Sequence, residues 1–243
     1  MSSPSEQTLL VTGANGFIAG HIIKVAMEKG YKLSTAIVPD TTRVESFKEA
    51  FGPDVTGVIH TASPFVFDIK DTRRDLLDPA INGATTILEA AARYGAGSVR
   101  CVVTTASFAS NLDLLAGKRP SYTYMEQDWN PMTCDEATTA DPTAAYRASK
   151  ALAERAQWDW MSANAPAFET PEAGGERFIL AHHFDYQSVA DAVRGSIPGL
   201  SHRIPAGTRG AGWQALENGA VYSIDTSKAQ RVLGIKYTPI RCS

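Results

Sequence analysis

The sequence predicts an α/β fold, a Rossmann-type doubly wound parallel sheet in shortened form. Two observations predict this class. Strand-like and helix-like segments alternate over about the first 160 residues, which is typical of a parallel sheet covered by helices. The pattern Gly13-x-x-Gly16-x-x-Ala19 also follows the first strand directly and begins the first helix. We therefore expect a sheet domain over residues 1–165 and a reduced C-terminal region, residues 166–243, packed on it.

Strands are predicted where short apolar or β-branched runs end in turn residues. They are Thr8–Thr12, Leu33–Val38, Gly57–His60 and Cys101–Thr105, with Phe178–Ala181 as a further candidate. Helices are predicted where apolar residues recur at helical spacing between capping signals, such as Gly30 and Gly95 past two helix ends and Pro142 in a first turn. They are Phe17–Lys29, Arg43–Phe51, Asp71–Tyr94, Pro142–Ala163, Tyr186–Arg194 and Asp225–Leu233. A polar loop is expected over Leu112–Asp141.

Composition and charge exclude several classes of protein. The 243 residues are 44% hydrophobic and 20% charged, as in an ordinary globular protein. The net charge is −3 without a long basic run, which argues against nucleic acid or an anionic membrane as a partner. No apolar run approaches ~18 residues, and the first residues do not resemble a secretory signal. The three cysteines lack metal-type spacing. We expect a cytoplasmic monomer or homodimer without a metal.

The glycine-rich turn predicts a dinucleotide site. Gly13 permits the tight turn, Gly16 lets the backbone approach a pyrophosphate, and Ala19 allows close packing of the helix on the strand. The N-terminus of the helix supplies N–H donors and a positive dipole for the phosphates. The alternative is an ordinary strand–helix turn that contains glycine.

Tyr146 and Lys150 lie four residues apart on a predicted helix and therefore on one face of it. A neighbouring ammonium is expected to lower the pKa of a phenol, so that the phenol exchanges a proton with a carbonyl oxygen near neutral pH. Ser107 follows the Cys101–Thr105 strand, at the end where open α/β sheets place their sites. We expect its hydroxyl to hydrogen-bond a substrate carbonyl beside the Tyr146 phenol; the alternative for a lone serine after a strand is an ordinary turn residue.

Several further segments, taken in order, resemble the extended short-chain dehydrogenases/reductases of the NAD-dependent epimerase/dehydratase superfamily, and especially their dihydroflavonol-reductase-like and methylglyoxal-reductase-like members. The resembling segments are residues 11–19, 38–40, 58–65, 75–83, 105–109 and 146–150. The resemblance implies a triad of Ser107, Tyr146 and Lys150 that reduces an aldehyde or ketone with NADP, or with NAD as the alternative. It also implies cofactor contacts from Gly13, Gly16, Phe17, Ile18, Asp40, Thr61, Ala62, Tyr146 and Lys150.

Asp40 has two interpretations. Its spacing of about 20 residues from the glycines makes it the ribose-binding acid of an NAD enzyme. The resemblance, which we favour, makes it an adenine contact.

Two internal segments of this family are missing from the sequence. A strand–helix unit before Val38-Pro39-Asp40 is absent or fused, and a strand that backs the nicotinamide is absent after Ala163. Residues 166–243 are then the remnant of a substrate-binding region. Three functions follow: a carbonyl reductase for a small-molecule substrate, a catalytically impaired dinucleotide-binding variant of one, or a nucleotide-sugar epimerase or dehydratase.

Overall fold

Four parallel strands in the spatial order β2-β1-β3-β4 form the central sheet. They are β1 (Thr8–Thr12), β2 (Lys32–Ser34), β3 (Val55–His60) and β4 (Cys101–Thr104). β1 pairs with both β2 and β3, and β3 also pairs with β4. Parallel neighbours require crossover connections, which the intervening helices and turns provide. The predicted α/β class with a parallel sheet is confirmed.

The structure, a computed structural model, describes residues 3–63, 68–113, 115–168, 175–181, 185–211 and 222–237. Contacts within the chain define two units. The first comprises residues 1–110 and 129–176, and the second comprises residues 111–128 and 177–243. The sheet and every predicted site residue belong to the first unit.

Helices of the first unit lie on both faces of the sheet. They are α1 (Phe17–Glu28), α2 (Asp78–Tyr94), α3 (Cys134–Thr139) and α4 (Pro142–Asn164). α2 packs against α4 and buries Ile87 in one cluster with Leu10, Val58 and Val102 of the sheet. Side chains alternate between the faces of a strand, so α1, which lies beside Leu9 and Ile59, covers the opposite face. The sheet is therefore doubly wound.

A buried amide joins the helical layer to the last strand. Gln157 of α4 donates hydrogen bonds to the Ala84 carbonyl of α2 at 2.8 Å and to the Thr104 hydroxyl of β4 at 3.3 Å. A buried side-chain amide that lost these partners would be costly, so the contact fixes α4 against both elements.

The second unit contains β5 (Thr123–Tyr124), α5 (Tyr186–Ser196), β6 (Ser223–Ile224) and α6 (Ser227–Leu233). β5 and β6 form a parallel pair. Tyr124 packs edge-on against Tyr122 and Tyr222, with ring centroids 4.9 and 5.2 Å apart. The Arg119 guanidinium lies 3.4 Å from the centroid of the Tyr122 ring. These aromatic contacts hold the strand pair together.

Two predicted elements, the Arg43–Phe51 helix and the Leu112–Asp141 loop, are wrong in part. The Arg43–Phe51 segment forms only a 3-10 turn, Val44–Phe47, because its N–H groups donate three residues back rather than four, as in Ser46 N to Arg43 O at 3.1 Å and Lys48 N to Glu45 O at 3.2 Å. The predicted loop over Leu112–Asp141 contains β5 and α3. Its missed signal is a capping box, in which the Thr133 hydroxyl accepts from Glu136 N and the Glu136 carboxylate accepts from Thr133 N.

Other boundaries also differ from the prediction. Phe178–Ala181 is irregular rather than a strand, because the Ile179 N–H donates to the Glu126 carboxylate at 3.2 Å instead of to a neighbouring strand. β2 ends at Ser34, well before Val38. A π-helical turn, Arg73–Leu77, precedes α2 in the predicted Asp71–Tyr94 helix. In the part of the chain that the structure describes, every helix is too short or too polar to span a bilayer.

Buried and exposed side chains alternate along β4, and this gives a matched test of which face of the sheet is buried. Val102 is 2% exposed and Val103 is 39% exposed on opposite faces of one strand. Val102→Ala should lower the free energy of unfolding by about 2 kcal/mol, because it removes buried methyl groups and leaves a cavity. Val103→Ala should cost less than about 0.5 kcal/mol. Urea unfolding measures both, and equal losses would contradict the assignment of the two faces.

Candidate active site

The carboxyl ends of β1, β3 and β4 meet at one edge of the sheet, where open α/β folds place their sites. The glycine-rich turn follows β1, residues 61–63 follow β3, and Ser107 follows β4. The topology therefore brings three of the predicted segments to the same edge.

Gly13 lies where only glycine fits. Its φ is +70°, and a Cβ there would lie 3.0 Å from both Ala62 N and Thr61 Oγ1. Gly16 closes the turn by donating its N–H to the Gly13 carbonyl at 2.8 Å. The backbone thus turns tightly against the residues that follow β3 and leaves the approach to the turn open.

The first turn of α1 is suited to an anion. Gly16 is the N-cap and supplies no side-chain acceptor, and the first turn contains no acidic residue. Phe17 is 84% exposed and Ile18 is 55% exposed, so this helix end faces outward. Helix N-terminal N–H groups and the positive end of the dipole favour phosphate there. The turn formed by Gly13 and Gly16, which we call the glycine cradle, and this helix end together fit the pyrophosphate of a dinucleotide.

One hydroxyl ties the ends of β1 and β3 together. Thr12 Oγ1 accepts hydrogen bonds from Thr61 N and Ala62 N, both at 3.1 Å, and lies 2.8 Å from His60 Nδ1. The Thr61 hydroxyl in turn donates to the Thr12 carbonyl at 2.6 Å. A threonine oxygen has two lone pairs and one proton, so its two acceptor positions are filled by the N–H groups. Its proton is therefore donated to His60 Nδ1.

This arrangement fixes the state of His60. Nδ1 must accept, so the neutral ring carries its proton on Nε2. Burial lowers the pKa of the His60 imidazole to about 4, which also keeps the ring neutral near pH 7. His60 therefore positions the strand end as a buried, neutral ring.

α4 presents Tyr146 and Lys150 from a well-anchored N-terminus. The Asp141 carboxylate caps the helix by accepting from Thr143 N at 2.9 Å and Ala144 N at 3.1 Å. A row of buried small residues allows α4 to pack closely on its neighbours; it consists of Ala144, Ala145, Ala148 and Ala151. The helix is therefore rigid where it carries the predicted pair.

Lys150 connects this helix to the residues that follow β3. Its ammonium donates a hydrogen bond to the Ser63 hydroxyl at 2.5 Å and lies 4.9 Å from the centroid of the Tyr146 ring. Burial lowers the pKa of the Lys150 ammonium. The expected lowering of the phenol pKa is wrong for this structure, because burial raises the pKa of Tyr146 and the ammonium faces the ring.

Ser107 lies just past the end of β4, whereas Asp40 lies in the exposed loop after β2. Ser107 begins the turn after β4, accepts from Ala109 N at 3.2 Å, and precedes a 3-10 turn (Phe108–Ser110) that packs on α4. The turn that follows Ser107 thus packs against the helix that carries Tyr146. Asp40 is exposed in the loop after β2 and accepts from the Thr42 hydroxyl at 2.6 Å and Thr42 N at 2.9 Å. These two hydrogen bonds lower the pKa of the Asp40 carboxyl.

Sequence reasoning missed Thr12 and Ser63. The only signal for Thr12 was its position directly before Gly13, and the only signal for Ser63 was its position just past β3. The adjacent pair His182 and His183, which we interpret as structural rather than metal-binding, lies outside the described residues. Within the described ranges no three His, Cys, Asp or Glu side chains converge on a metal-sized site.

The sequence profile of the NAD dependent epimerase/dehydratase family matches residues 9–168. The NADPH-dependent methylglyoxal reductase GRE2 of Saccharomyces cerevisiae is 29% identical over 327 aligned positions, which cover 96% of this chain and 95% of that protein. The crystal structure of yeast methylglyoxal/isovaleraldehyde reductase Gre2 complexed with NADPH is similar, with a TM-score of 0.84 at 28% identity and coverage of 96% and 94%. The ketoreductase azaE of Aspergillus niger is 27% identical over 94% of this chain and 93% of its own length.

The GRE2 alignment also shows how much shorter this chain is. It spans 327 positions, whereas the chain has 243 residues, so at least 84 positions of the relative have no counterpart here. The match to the Candida albicans protein GRP2 shows the same, because it covers 68% of this chain but 56% of that protein, at 33% identity. The sheet matches this shortening, since within the described residues β4 pairs only with β3 and forms the edge.

Thr12 offers a test of the hydrogen bonds that join the ends of β1 and β3. Thr12→Val keeps the shape but leaves two N–H groups and His60 Nδ1 without their partner, so the free energy of unfolding should fall by about 2–3 kcal/mol. Thr12→Ser keeps the hydroxyl and should cost less than about 1.5 kcal/mol. Urea unfolding compares the two, and equal losses would show that the methyl group, not the hydrogen bonds, matters.

His60 predicts a specific pH dependence. Its folded pKa is about 4, below the ordinary 6.5, so the unfolded chain binds a proton first as the pH falls. The stabilisation is complete above pH 6.5 and is lost towards pH 4, by about 3 kcal/mol. His60→Asn, whose side-chain oxygen can replace the Nδ1 acceptor, should lose less stability over this interval. Urea midpoints at several pH values test this, and parallel losses in both proteins would refute it.

Proposed function

The chain belongs to the NAD dependent epimerase/dehydratase family, and from that premise we propose that it is an NADPH-dependent oxidoreductase that reduces a small aldehyde or ketone. The observation that carries the proposal is the hydrogen bond from Lys150 to Ser63. It joins the helix that carries Tyr146 to the end of β3, at the same sheet edge as the glycine cradle. A proton donor and a dinucleotide site on one edge are what carbonyl reduction requires.

Bound NADPH would supply a hydride to the carbonyl carbon. We assign Gly13, Gly16, Phe17 and Ile18 to the pyrophosphate, Thr61 and Ala62 to the adjacent ribose and phosphate, and Asp40 to the adenine. Lys150 is assigned to the nicotinamide ribose, together with Tyr146. NADPH is favoured over NADH because related reductases use it.

Two side chains then act on the substrate oxygen. The Ser107 hydroxyl donates a hydrogen bond that orients the carbonyl, and Tyr146 Oη transfers its proton to that oxygen as the carbon–oxygen double bond becomes single. Lys150 completes the proposed triad by holding the nicotinamide ribose beside Tyr146. Its ammonium faces the phenol ring, 4.9 Å from the centroid, so we do not assign to it a lowering of the phenol pKa. The raised pKa of Tyr146 is consistent with this direction, because a protonated phenol is the form that reduction needs.

The edge position of β4 favours one alternative. A strand beyond β4 would support the nicotinamide against Tyr146, and in the described part of the chain no such strand is present. A protein that binds the dinucleotide but turns over poorly or not at all would result. In either case we propose that residues 166–243 carry what remains of the substrate-binding region.

Tyr146→Phe tests the proposal. The wild-type protein should oxidise NADPH in the presence of methylglyoxal or a diketone, followed by absorbance. Tyr146→Phe should lower kcat by about 10²-fold or more, because it removes the proton donor, while the NADPH-induced rise in Tm is retained. Tyr31→Phe is a matched control, since Tyr31 follows α1 at the opposite end of the sheet, and should leave kcat unchanged.

The outcomes separate the two functions. Turnover that depends on Tyr146 supports the reductase and excludes the impaired variant. A Tm shift with NADPH but no turnover across a panel of aldehydes and ketones supports the impaired variant. No Tm shift with NADPH or NADH would contradict both.

A further inference from the structure

Ser63 makes the contact between α4 and the residues that follow β3, and the proposed reduction gives it no role of its own. Its Oγ accepts a hydrogen bond from Lys150 Nζ at 2.5 Å, across 87 residues of sequence. Ser63 directly follows Ala62, whose N lies 3.0 Å from the position that a Cβ of Gly13 would take. The Ser63 hydroxyl therefore links the segment that packs against the glycine cradle to the helix that carries Lys150.

A lysine side chain does not fix the position of its own charge. Its ammonium is a compact charge on a long flexible stem, and ordering that stem costs up to about 2 kcal/mol of rotamer freedom. The Lys150 ammonium contacts the Ser63 hydroxyl and the face of the Tyr146 ring, 4.9 Å from the ring centroid. The ring face attracts the charge, but only the hydrogen bond sets the direction of an N–H group. Ser63 thus determines how the ammonium is oriented.

The contact with Ser63 leaves donors of Lys150 available. An ammonium carries three N–H groups and no acceptor, so Ser63 Oγ must be the acceptor of the bond. One N–H group is used, and two remain for the hydroxyl groups of the nicotinamide ribose, to which Lys150 is assigned. Binding of the cofactor therefore does not require the contact between Lys150 and Ser63 to break.

The same contact affects the charge of Lys150. Burial lowers the pKa of the Lys150 ammonium, and no charged group of the described elements around it adds to that shift. The described elements packed on α4 are α2, α3 and the turns Arg73–Leu77 and Phe108–Ser110. The ionisable side chains on the same face of α4 are Tyr146, Arg147 and Glu154. A hydrogen bond that an oxygen accepts from an ammonium favours its charged form, so removing the Ser63 hydroxyl should lower the pKa of Lys150 further.

We propose that Ser63 is a positioning residue of the carbonyl reduction, whose hydroxyl holds the Lys150 ammonium beside the end of β3 so that its remaining N–H groups bind the ribose of NADPH. This role rests on the proposed reductase function. Ser63 acts through Lys150 and is assigned no contact with the substrate. The alternative is a serine that only shapes the turn after β3, and such a serine would leave the Lys150 amine unaffected.

The reactivity of the Lys150 amine tests the contact without NADPH or a substrate. Only the neutral amine reacts with acetic anhydride, so labelling at a series of pH values, followed by mass spectrometry, gives the midpoint of its titration. Ser63→Ala should lower the Lys150 midpoint by about half a pH unit or more, because the charged amine loses a fixed acceptor. Ser63→Thr keeps the hydroxyl and should label as the wild type does. Lys24, which is exposed on α1, is the internal reference and should be unchanged in all three proteins.

The affinity for NADPH tests the consequence for the cofactor. Ser63→Ala should raise the Kd for NADPH, measured by its fluorescence, by about fivefold. The KM for NADPH should rise by a similar factor, whereas the KM for methylglyoxal should stay the same. Ser63→Thr should restore both values for NADPH. Ser121→Ala is the matched control, because it removes the hydroxyl of an exposed serine in the second unit, and it should bind NADPH as the wild type does.

The outcomes distinguish this role from the reductase itself. An unchanged Lys150 midpoint in Ser63→Ala, in a protein whose wild type turns over, would overturn the role of Ser63 alone. Tighter binding of NADPH by Ser63→Ala would overturn it as well, because Ser63 would then compete with the cofactor for Lys150. A wild-type protein that binds no NADPH would overturn the reductase and the role of Ser63 together.

Discussion

The hydroxyl of Thr12 is the constraint on which the candidate active-site edge depends. By accepting from two successive N–H groups after β3, it fixes the spacing between the ends of two neighbouring strands. Gly13 then has no room for a side chain, and the backbone turns where a phosphate can approach. Because His60 accepts the remaining proton, the network is satisfied only while that ring is neutral.

A second buried contact fixes the helical layer against the sheet. Gln157 joins α4 to α2 and β4, and the Asp141 cap fixes the start of α4. Between these two anchors lie Tyr146 and Lys150, so their positions follow from the packing of a helix rather than from a loop. If the proposed reduction occurs here, Tyr146 and Lys150 are already held in position by the helix before a substrate binds.

The elements with strong local signals could be predicted from the sequence, and the long-range ones could not. β1, α1 and α4 combine an apolar period with a glycine or a cap, which is why their limits agree closely with the structure. Ser63 and Thr12 depend on partners 87 and 48–50 residues away, so no local pattern identifies their contacts. The raised pKa of the Tyr146 phenol could not be predicted for a related reason. The spacing places the Lys150 ammonium near Tyr146, but it does not show that the ammonium faces the ring.

β4 has a further consequence for the protein in solution. It is a short outer strand that includes a half-exposed valine, and in the described residues its hydrogen-bonding partner on the sheet is β3 alone. An outer strand of this kind is a template on which a second chain can add a strand. Concentrated preparations should therefore be prone to self-association through backbone hydrogen bonds, and a charged residue on this strand would act as a gatekeeper against it.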